Sequence, residues 1–372
     1  MADFFVRGRD AILGSGYRQV VKPLAFRFDA ELVHDRISGL GQMLGRWPLT
    51  RQLTRAMFDY DHPLLRTTLA GVALKNPIGL SAGFDKEGRL SDIMPAVGFG
   101  FMEIGSITGS PSPGNPKPRL WRLPKSQAIV VHFGLNSSGS QAVADRLRHR
   151  EFRLPVAVSI AKANLPTMDT VTEGIGDYLQ AATNLCQIGQ WLVINISCPN
   201  TSGGEPFADP KNLDALLAAL EPVVRHRPVF IKLPVDLPWA QLDGLIAVAE
   251  RHEVTGFTCT NLAKDRDPGL ITDAVVPSQG SISGKVMEAR SNEVLAQVYR
   301  RTAGRRPLVG VGGIFTAADA YRKIRLGASA VQLITGLIYR GPSAISDIKR
   351  GLVRLLQRDG LSSLQAAIGL DV

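Results

Sequence analysis

Residues 307–313 read PLVGVGG, and residues 330–336 read AVQLITG. Each run is almost wholly apolar and too short for a helix, which is typical of a parallel strand buried on both faces. The segment between them, residues 317–326, reads as a helix. Two buried strands that alternate with a helix indicate an α/β fold with a parallel sheet.

Six further runs of the same kind precede this pair. Amphipathic segments such as residues 209–224 separate them, and Asp209 followed by Pro210 is a typical helix start. Eight strand–helix units predict a (β/α)8 TIM barrel, and their even spacing favours a closed barrel over a doubly wound sheet. The six runs lie at 76–83, 100–107, 156–163, 191–197, 228–234 and 256–261.

Residues 1–68 precede the first predicted barrel strand and lack the repeat. Apolar residues with helix-like spacing alternate there with Arg18, Lys22, Arg27 and Arg36, which predicts one or two short amphipathic helices. We therefore predict an N-terminal helical cap over residues 1–68 and a barrel over residues 69–372. The cap is either a packing element of the barrel or a docking element for a membrane surface.

The composition narrows the class of partner. Hydrophobic residues make up 45% of the chain and charged residues 20%, which excludes a disordered protein. The net charge of +10 suggests an anionic partner, and residues 116–153 carry +6 of it. The basic residues are scattered and not interleaved with aromatic ones, so we predict no nucleic-acid binding. Three widely spaced cysteines predict neither disulfides nor a metal site, and no apolar run is long enough to span a bilayer.

The predicted strands end in polar residues, and in this fold the C-terminal strand ends carry the chemistry. A buried lysine or asparagine in a core strand needs a partner. Several of them at one rim therefore predict a binding site rather than packing. The polar residues at this rim include Ser81, Lys86, Ser106, Ser159, Lys162, Asn195, Lys232, Thr260 and Asn261.

Two glycine-containing stretches close the last two strands. Residues 310–313 (GVGG) and the pair Thr335-Gly336 predict a phosphate site, because glycine lets backbone N–H groups approach a phosphate. The dinucleotide pattern GxGxxG is not met. After the fourth strand, Cys198 begins a polar segment with Gly203 and Gly204 that predicts a mobile loop over a ligand. A thiol near lysines can lose its proton near neutral pH and act as a base or nucleophile.

Several long blocks in order along the chain resemble the dihydroorotate dehydrogenase family. The resemblance covers nearly the whole chain from about residue 17. Residues 28–34 (FDAELVH) and 117–122 (KPRLWR) are similar to the class 2 branch, which is membrane-associated and reduces quinones. The blocks are NPIGLSAGFDKEG (76–88), EIGSITGSPSPGNPKPRLWR (103–122), NISCPNT (195–201), GVGGI (310–314) and GASAVQLITGLIYRGP (327–342).

The resemblance implies an enzyme of pyrimidine biosynthesis, peripheral on the cytoplasmic side of a membrane. It implies removal of a proton from C5 of dihydroorotate by Cys198, hydride transfer from C6 to FMN, and reoxidation by a quinone. The implied FMN contacts are Ala82, Gly83, Lys86, Ser106, Ser159, Asn195, Lys232, Thr260, Gly284, Gly313, Thr335 and Gly336. The implied substrate contacts are Lys86, Asn136, Asn195, Asn200 and Asn261, with Lys86 also catalytic, and His34 and Arg119 would line the quinone tunnel.

Five positions depart from the family pattern. Cys198 stands where class 2 members have serine, Ser159 replaces an asparagine, and Ile334 replaces a tyrosine. Val131 and Leu262 replace polar residues near the substrate, and each lost hydrogen bond to a charged group costs about 1.5–3 kcal/mol. A related FMN oxidoreductase that acts on a less polar cyclic substrate is therefore the alternative. The third possibility, a flavin protein without catalysis, is disfavoured by Lys86, Lys232 and the thiol.

Overall fold

The computed structural model describes residues 2–198, 200 and 204–372. Eight strands pair in parallel with their neighbours and close into a barrel. Every run predicted to be a barrel strand is one, so the predicted (β/α)8 barrel is confirmed. The barrel strands are Ile78–Leu80, Phe101–Thr108, Val156–Ala161, Trp191–Asn195, Val229–Leu233, Gly256–Cys259, Leu308–Val311 and Ala328–Leu333.

Helices follow the barrel strands and cover the outside of the barrel. The predicted helix start at Asp209 is confirmed, since its carboxylate accepts the backbone N–H groups of Lys211 and Asn212 at 3.0 and 3.1 Å. These helices are Met94–Val97, Ser140–Leu147, Val171–Leu185, Pro210–Val224, Trp239–Arg251, Glu288–Thr302, Ala317–Arg325, Thr335–Arg340 and Ser343–Arg358. Short 3-10 turns lie at Pro63–Leu65, Pro206–Ala208, Lys285–Met287 and Gln365–Ala367.

The barrel interior is apolar at one end and polar at the other. Trp191 packs between Phe101 and Phe230, with ring centroids 5.8 and 6.2 Å away. An antiparallel hairpin, Thr67–Leu69 with Val72–Leu74, joins this cluster and closes the N-terminal end. Side chains alternate along a strand, so Lys232, two residues beyond Phe230, faces the interior at the open C-terminal end.

A three-stranded antiparallel sheet stands on the C-terminal rim of the barrel. It consists of Leu120–Leu123, Ala128–Val131 and Ser281–Gly284. In its register Val131 lies opposite both Leu120 and Ser281. We did not predict this sheet from the sequence. Its third strand, Ser281–Gly284, lies far along the chain from the hairpin that the other two strands form, so this pairing leaves no local pattern.

The N-terminal region contains more helix than we predicted. Its helices are Ala2–Gly16, the π-helical turn Tyr17–Val21, Lys22–Ala25, Ala30–Arg46 and Pro48–Phe58. Hydrogen bonds connect them to the last barrel helix, Ser343–Arg358, and to the helix before it, Thr335–Arg340. The hydroxyl of Ser346 donates to the buried Asp10 carboxylate at 2.7 Å, and the Tyr17 hydroxyl donates to the carbonyl of Ile338 at 2.7 Å. The division between residues 68 and 69 stays a prediction, and the closing hairpin runs across it.

The same N-terminal region exposes many large apolar side chains. Arg18 and Arg36 are exposed on its helices, and Arg27 is exposed in the turn between two of them. Exposed apolar surface of this extent marks an interaction site in a soluble protein. Within the described part of the chain, no helix is both long and apolar enough to cross a membrane. The exposed side chains are Phe5, Ile12, Val20, Val21, Leu24, Phe28, Leu32, Ile37, Leu40, Met43, Trp47, Leu49, Leu53 and Met57.

Candidate active site

A cavity lies at the C-terminal end of the barrel, where the strand ends, the rim sheet and the N-terminal helices meet. Its walls bring together most of the residues that the sequence singled out, although these come from all parts of the chain. The predicted site residues that line it are His34, Ala82, Gly83, Lys86, Ser106, Asn136, Asn195, Cys198, Asn200, Lys232, Thr260, Asn261, Thr335 and Gly336.

Four residues of the predicted set lie behind the cavity wall. Ser159 is fully buried, and its hydroxyl is 2.8 Å from the hydroxyl of Ser106, which does line the cavity. Gly284 and Gly313 lie next to lining residues, but their Cα atoms face the protein: an added Cβ would stand within 2.6 Å of Gln127 and Ala128, or of Glu288. Arg119 is held away by an ion pair described below.

Lys232 carries the strongest sign of a missing ligand. It is buried, it lines the cavity, and it lies beside Asn195 in the strand register. Among the described residues, its ammonium has no hydrogen-bond partner. A buried charge without a partner is costly, so this ammonium fits a ligand that offers acceptor atoms at the barrel axis.

A chain of side-chain hydrogen bonds fixes the amides around Lys232. Asn261 donates to the amide oxygen of Asn195 at 3.0 Å, and Asn195 donates to the Ser106 hydroxyl at 2.8 Å. The Ser197 hydroxyl donates to the carbonyl of Lys232 at 2.9 Å. Because every member is held by its neighbour, the polar groups keep a defined orientation toward the cavity.

Lys86 lies above these amides, toward the rim sheet. Its ammonium donates to the amide oxygen of Asn136 at 2.7 Å and stands 3.2 Å from the centroid of the Phe133 ring. Burial, helped by the nearby Arg119 charge, lowers the pKa of Lys86 to about 7. An anionic ligand beside this amine would favour its protonated form and raise that pKa again.

The thiol of Cys198 differs from our expectation. Burial raises the pKa of Cys198 to about 11, and the opposing effects of the Asn200 N–H and of Lys232 and Lys264 are smaller. The prediction that nearby lysines let this thiol lose its proton near neutral pH is therefore wrong. The predicted mobile loop includes residues 199 and 201–203, which lie outside the described residues.

Two glycines shape the cavity wall. Gly83 has φ +103°, and a Cβ added there would meet nothing closer than the Cδ1 atom of Ile334 at 3.9 Å. Bare backbone therefore faces the cavity at this point. At Gly336 an added Cβ would lie 2.1 Å from the carbonyl oxygen of Ile314, so only glycine permits this close approach. Gly83 therefore leaves room for a flat or phosphate-bearing group to approach the backbone, whereas Gly336 lets the backbone pack closely against Ile314.

The cavity becomes apolar toward the N-terminal helices. His34 lies there with its ring edge-on to Phe84, at a centroid distance of 4.9 Å. Burial and then the charge of Lys86 lower the pKa of His34 from its ordinary 6.5, which keeps the imidazole neutral at pH 7. The apolar residues that line this end are Leu120, Ile129, Val131, Phe315, Ile334 and Ile338.

Arg119 does not reach this apolar end, although we predicted it to line a tunnel there. Its guanidinium Nη2 donates to Oε1 of Glu31 at 2.9 Å, and its Nη1 donates to the carbonyls of Pro113 and Asn115 at 3.0 Å. Both partners of the Glu31–Arg119 pair are buried. The buried Glu31 carboxylate accepts hydrogen bonds from two guanidinium nitrogens, Nε and Nη2, which fixes the orientation of the Arg119 side chain.

Sequence reasoning missed Glu31 and Phe133. Glu31 lies among other charged residues of its helix, such as Asp35 and Arg36, and nothing local distinguishes it. Phe133 lies two residues after a rim strand that we did not predict, so its position over Lys86 had no sequence signal. By contrast, Val131, Leu262 and Ile334, which we noted as departures, all line the cavity.

Comparison with known proteins identifies the family. A sequence profile described as dihydroorotate dehydrogenase matches residues 64–356. Dihydroorotate dehydrogenase (quinone) from Roseiflexus sp. (strain RS-1) is 38% identical over 358 residues, covering 95% of this chain and 98% of that protein. The protein of the same name from Natronomonas pharaonis is 37% identical over 360 residues, covering 96% of this chain and 100% of that protein.

Solved structures agree with the sequence relatives. The ligand-free DHODH of Eimeria tenella superposes with a TM-score of 0.83 at 31% identity, covering 92% of this chain and 99% of that one. The complex of DHODH from Eimeria tenella with ferulenol gives a TM-score of 0.82 at 31% identity, over 92% of this chain and 96% of that one. This chain belongs to the dihydroorotate dehydrogenase family.

Proposed function

We propose that this protein is a flavoenzyme that oxidises dihydroorotate to orotate and delivers the electrons to a quinone, as a step of pyrimidine biosynthesis. The observation that carries the proposal is the cavity itself, which is polar around Lys232 at the barrel axis and apolar beside His34. One end suits a polar ring with an acidic group, and the other suits a quinone.

The residues present fit FMN as the cofactor. Lys232 offers an ammonium without a partner among the described residues, Gly83 offers open backbone, and Gly312 lines the cavity with backbone that suits a phosphate. Ala82, Ser106, Asn195, Thr260, Thr335 and Gly336 would complete the site from the remaining strand ends. FMN, when bound, would supply the two-electron acceptor for the substrate and the donor for the quinone.

The substrate would lie between the amides and Lys86. Asn136, Asn195, Asn200 and Asn261 offer donors and acceptors for a cyclic diamide, and the Lys86 ammonium suits its carboxylate. Cys198 lines the same cavity and would take the C5 proton. Because its pKa is about 11, only a small fraction is thiolate at neutral pH, and the rate of proton removal should follow that fraction.

We extend the proposal to peripheral attachment at the cytoplasmic side of a membrane. The exposed apolar side chains of the N-terminal region, such as Leu24 and Phe28, lie with exposed arginines on the segment that also carries His34. An amphipathic surface with basic residues binds the interface of an anionic leaflet. A quinone dissolved in that membrane would then enter the apolar end of the cavity.

Anaerobic titration of the purified protein tests the proposal. We expect a yellow protein with about one FMN per chain whose colour bleaches rapidly on addition of dihydroorotate and returns with a short-chain quinone. A colourless protein that takes up no FMN would contradict the cofactor, and hence the whole proposal. Bleaching that only oxygen reverses would contradict the quinone.

One observation favours a second candidate. Val131 and Leu262 line the cavity where the resemblance implies polar contacts, and they make the substrate end less polar. The candidate is the same flavin chemistry on a less polar cyclic substrate. It predicts that millimolar dihydroorotate leaves the flavin oxidised while a chemical reductant bleaches it.

A further inference from the structure

A buried lysine that the proposed mechanism does not use lies beneath residues 310–313, which comprise the end of the strand Leu308–Val311 and the turn that follows it. Lys323 belongs to the helix Ala317–Arg325, and none of the residue is exposed. Its ammonium donates to the hydroxyl of Ser291 at 2.8 Å and to the amide oxygen of Asn292 at 2.7 Å. Both acceptors are uncharged and buried in the neighbouring helix Glu288–Thr302.

No carboxylate balances this ammonium. Over the described parts of the chain, no acidic side chain lies within 4.0 Å of it. The nearest acids, Glu288 and Asp319, both form ion pairs with Lys285, and the distance from the Lys285 ammonium to the Asp319 carboxylate is 2.9 Å. An ammonium buried among neutral groups is unfavourable, so the site is incomplete without an anion.

The lysine and its serine partner touch the turn directly. A Cβ added at Gly310 would stand 3.1 Å from Cδ of Lys323, and one added at Gly312 would stand 2.9 Å from Oγ of Ser291. The Ser291 hydroxyl lies 3.1 Å from the carbonyl of Glu288 and 3.4 Å from that of Gly312. Gly312 has φ +106° and lines the cavity on its other side.

We propose that Lys323 is a positioning residue that supports the turn of residues 310–313 through Ser291 and supplies the positive charge that a phosphate bound on that turn requires. The inference rests on the proposed function, because the phosphate is that of FMN. The lysine does not touch the ligand; it acts through the serine and through the field of its charge.

The proposal has a consequence for pH. Burial lowers the pKa of Lys323 to about 7, and the other groups that act on it are Cys259, Glu288, Asp319 and Arg322. A phosphate nearby favours the ammonium and therefore raises this pKa in the complex. The gain in FMN affinity that this charge provides is therefore complete below pH 7. It is lost as the pH rises through the higher pKa that Lys323 has in the complex. A phosphate ester loses its last proton near pH 6, below this window.

The test is the rate of FMN release from the purified holoprotein, followed by the fluorescence of free flavin after dilution. We expect Lys323→Met to release FMN at least about fivefold faster at pH 7, the lower end of typical coupling between linked sites. We also expect the wild-type release rate to rise between pH 7 and 9, and the variant to lose most of that rise.

Lys349→Met is the matched control, since Lys349, on the helix Ser343–Arg358, is an equally buried lysine whose ammonium donates to the Asp59 carboxylate at 2.6 Å. It should lower stability and leave FMN release unchanged. If Lys323→Met does not fold, Ser291→Ala removes the link to the turn and should likewise speed release. Wild-type release rates and pH dependence in a folded Lys323→Met protein would overturn the inference alone, whereas a wild-type protein without FMN would overturn the proposed function and the inference together.

Discussion

Glu31 and Arg119 form a buried ion pair that joins the N-terminal helices to the rim sheet. The guanidinium approaches the carboxylate through both Nε and Nη2, at 2.9–3.2 Å, and the side chains are 8% and 10% exposed. The pair lies next to Phe133, whose ring centroid is 5.2 Å from the guanidinium carbon. It therefore couples the position of the helical segment that carries His34 to the ring that covers Lys86.

Glu31→Gln should loosen the N-terminal helices without removing the flavin site. The variant leaves Arg119 buried without its counter-charge, which costs about 3 kcal/mol at the lower end for such pairs. We expect a lower melting temperature and a higher KM for a quinone, while flavin reduction by dihydroorotate keeps its rate. Thermal unfolding and separate half-reaction kinetics measure both effects, and an unchanged melting temperature would contradict the role of the pair.

The same pair gives a pH dependence of stability. Burial acts to raise the pKa of Glu31, but hydrogen bonds from Arg119 and Lys117 outweigh it and hold the pKa below its ordinary 4.5. The stabilisation is thus present above pH 4.5 and is lost as the pH falls below it. The gap in melting temperature between wild type and Glu31→Gln should narrow in acid.

Lys117→Gln is the control variant. This lysine also pairs with Glu31, at 3.2 Å, but its side chain is 64% exposed, so its loss should lower the free energy of unfolding by at most about 1 kcal/mol.

We expect the variant Lys232→Met to bind little flavin and to fold as the wild type does. Removal of a buried ammonium that has no partner among the described residues relieves a desolvation cost, so the flavin-free variant should melt at or above the temperature of flavin-free wild type. We expect purified Lys232→Met to retain little FMN, measured by the ratio of flavin to protein absorbance.

The matched control for Lys232 is Lys162, at the end of the third barrel strand. It is also buried, but its ammonium donates to the carbonyl of Met168 at 2.7 Å. Lys162→Met should therefore lower the melting temperature and keep the flavin. Full flavin content in Lys232→Met, or equal loss in both variants, would contradict the assigned role of Lys232.

The barrel could be predicted because each of its strands carries its own signal. Runs such as residues 228–234 are short and apolar except for a polar residue near their C-terminal end, and the alternation of side chains along a strand predicts that Lys232 faces the barrel interior. The third strand of the rim sheet and the Glu31–Arg119 pair could not be predicted, since both depend on segments far apart in sequence. The raised pKa of Cys198 was missed for a related reason: the sequence shows neighbouring lysines but not the burial that outweighs them.

Phe28→Glu should weaken binding to vesicles that contain anionic lipid. Phe28 is 57% exposed in the turn between the helices Lys22–Ala25 and Ala30–Arg46, and a carboxylate there removes apolar contact and repels anionic headgroups. Co-sedimentation should show less bound protein, with the melting temperature unchanged because the site is exposed. Val275→Glu changes a side chain that is 84% exposed but lies in a loop outside these helices, and it should bind as wild type does. Equal loss in both variants would mean that general charge, not the helical face, governs binding.

If Cys198 is the base, the limiting rate of flavin reduction should rise with pH. With a thiol pKa of about 11, the thiolate fraction grows about tenfold per pH unit up to that value, and the limiting rate of reduction should follow it. Saturating dihydroorotate separates this effect from the titration of Lys86 near pH 7, which acts on binding. Stopped-flow bleaching between pH 6 and 10 measures the profile.

Cys198→Ala should reduce flavin at least about a hundredfold more slowly, since that is the usual contribution of a positioned base, and its rate should no longer rise with pH. Cys186→Ala, which removes a partly exposed thiol at the end of the helix Val171–Leu185, is the control and should keep both the rate and its rise with pH. A limiting rate that stays flat across this range in the wild type would show that another group takes the proton.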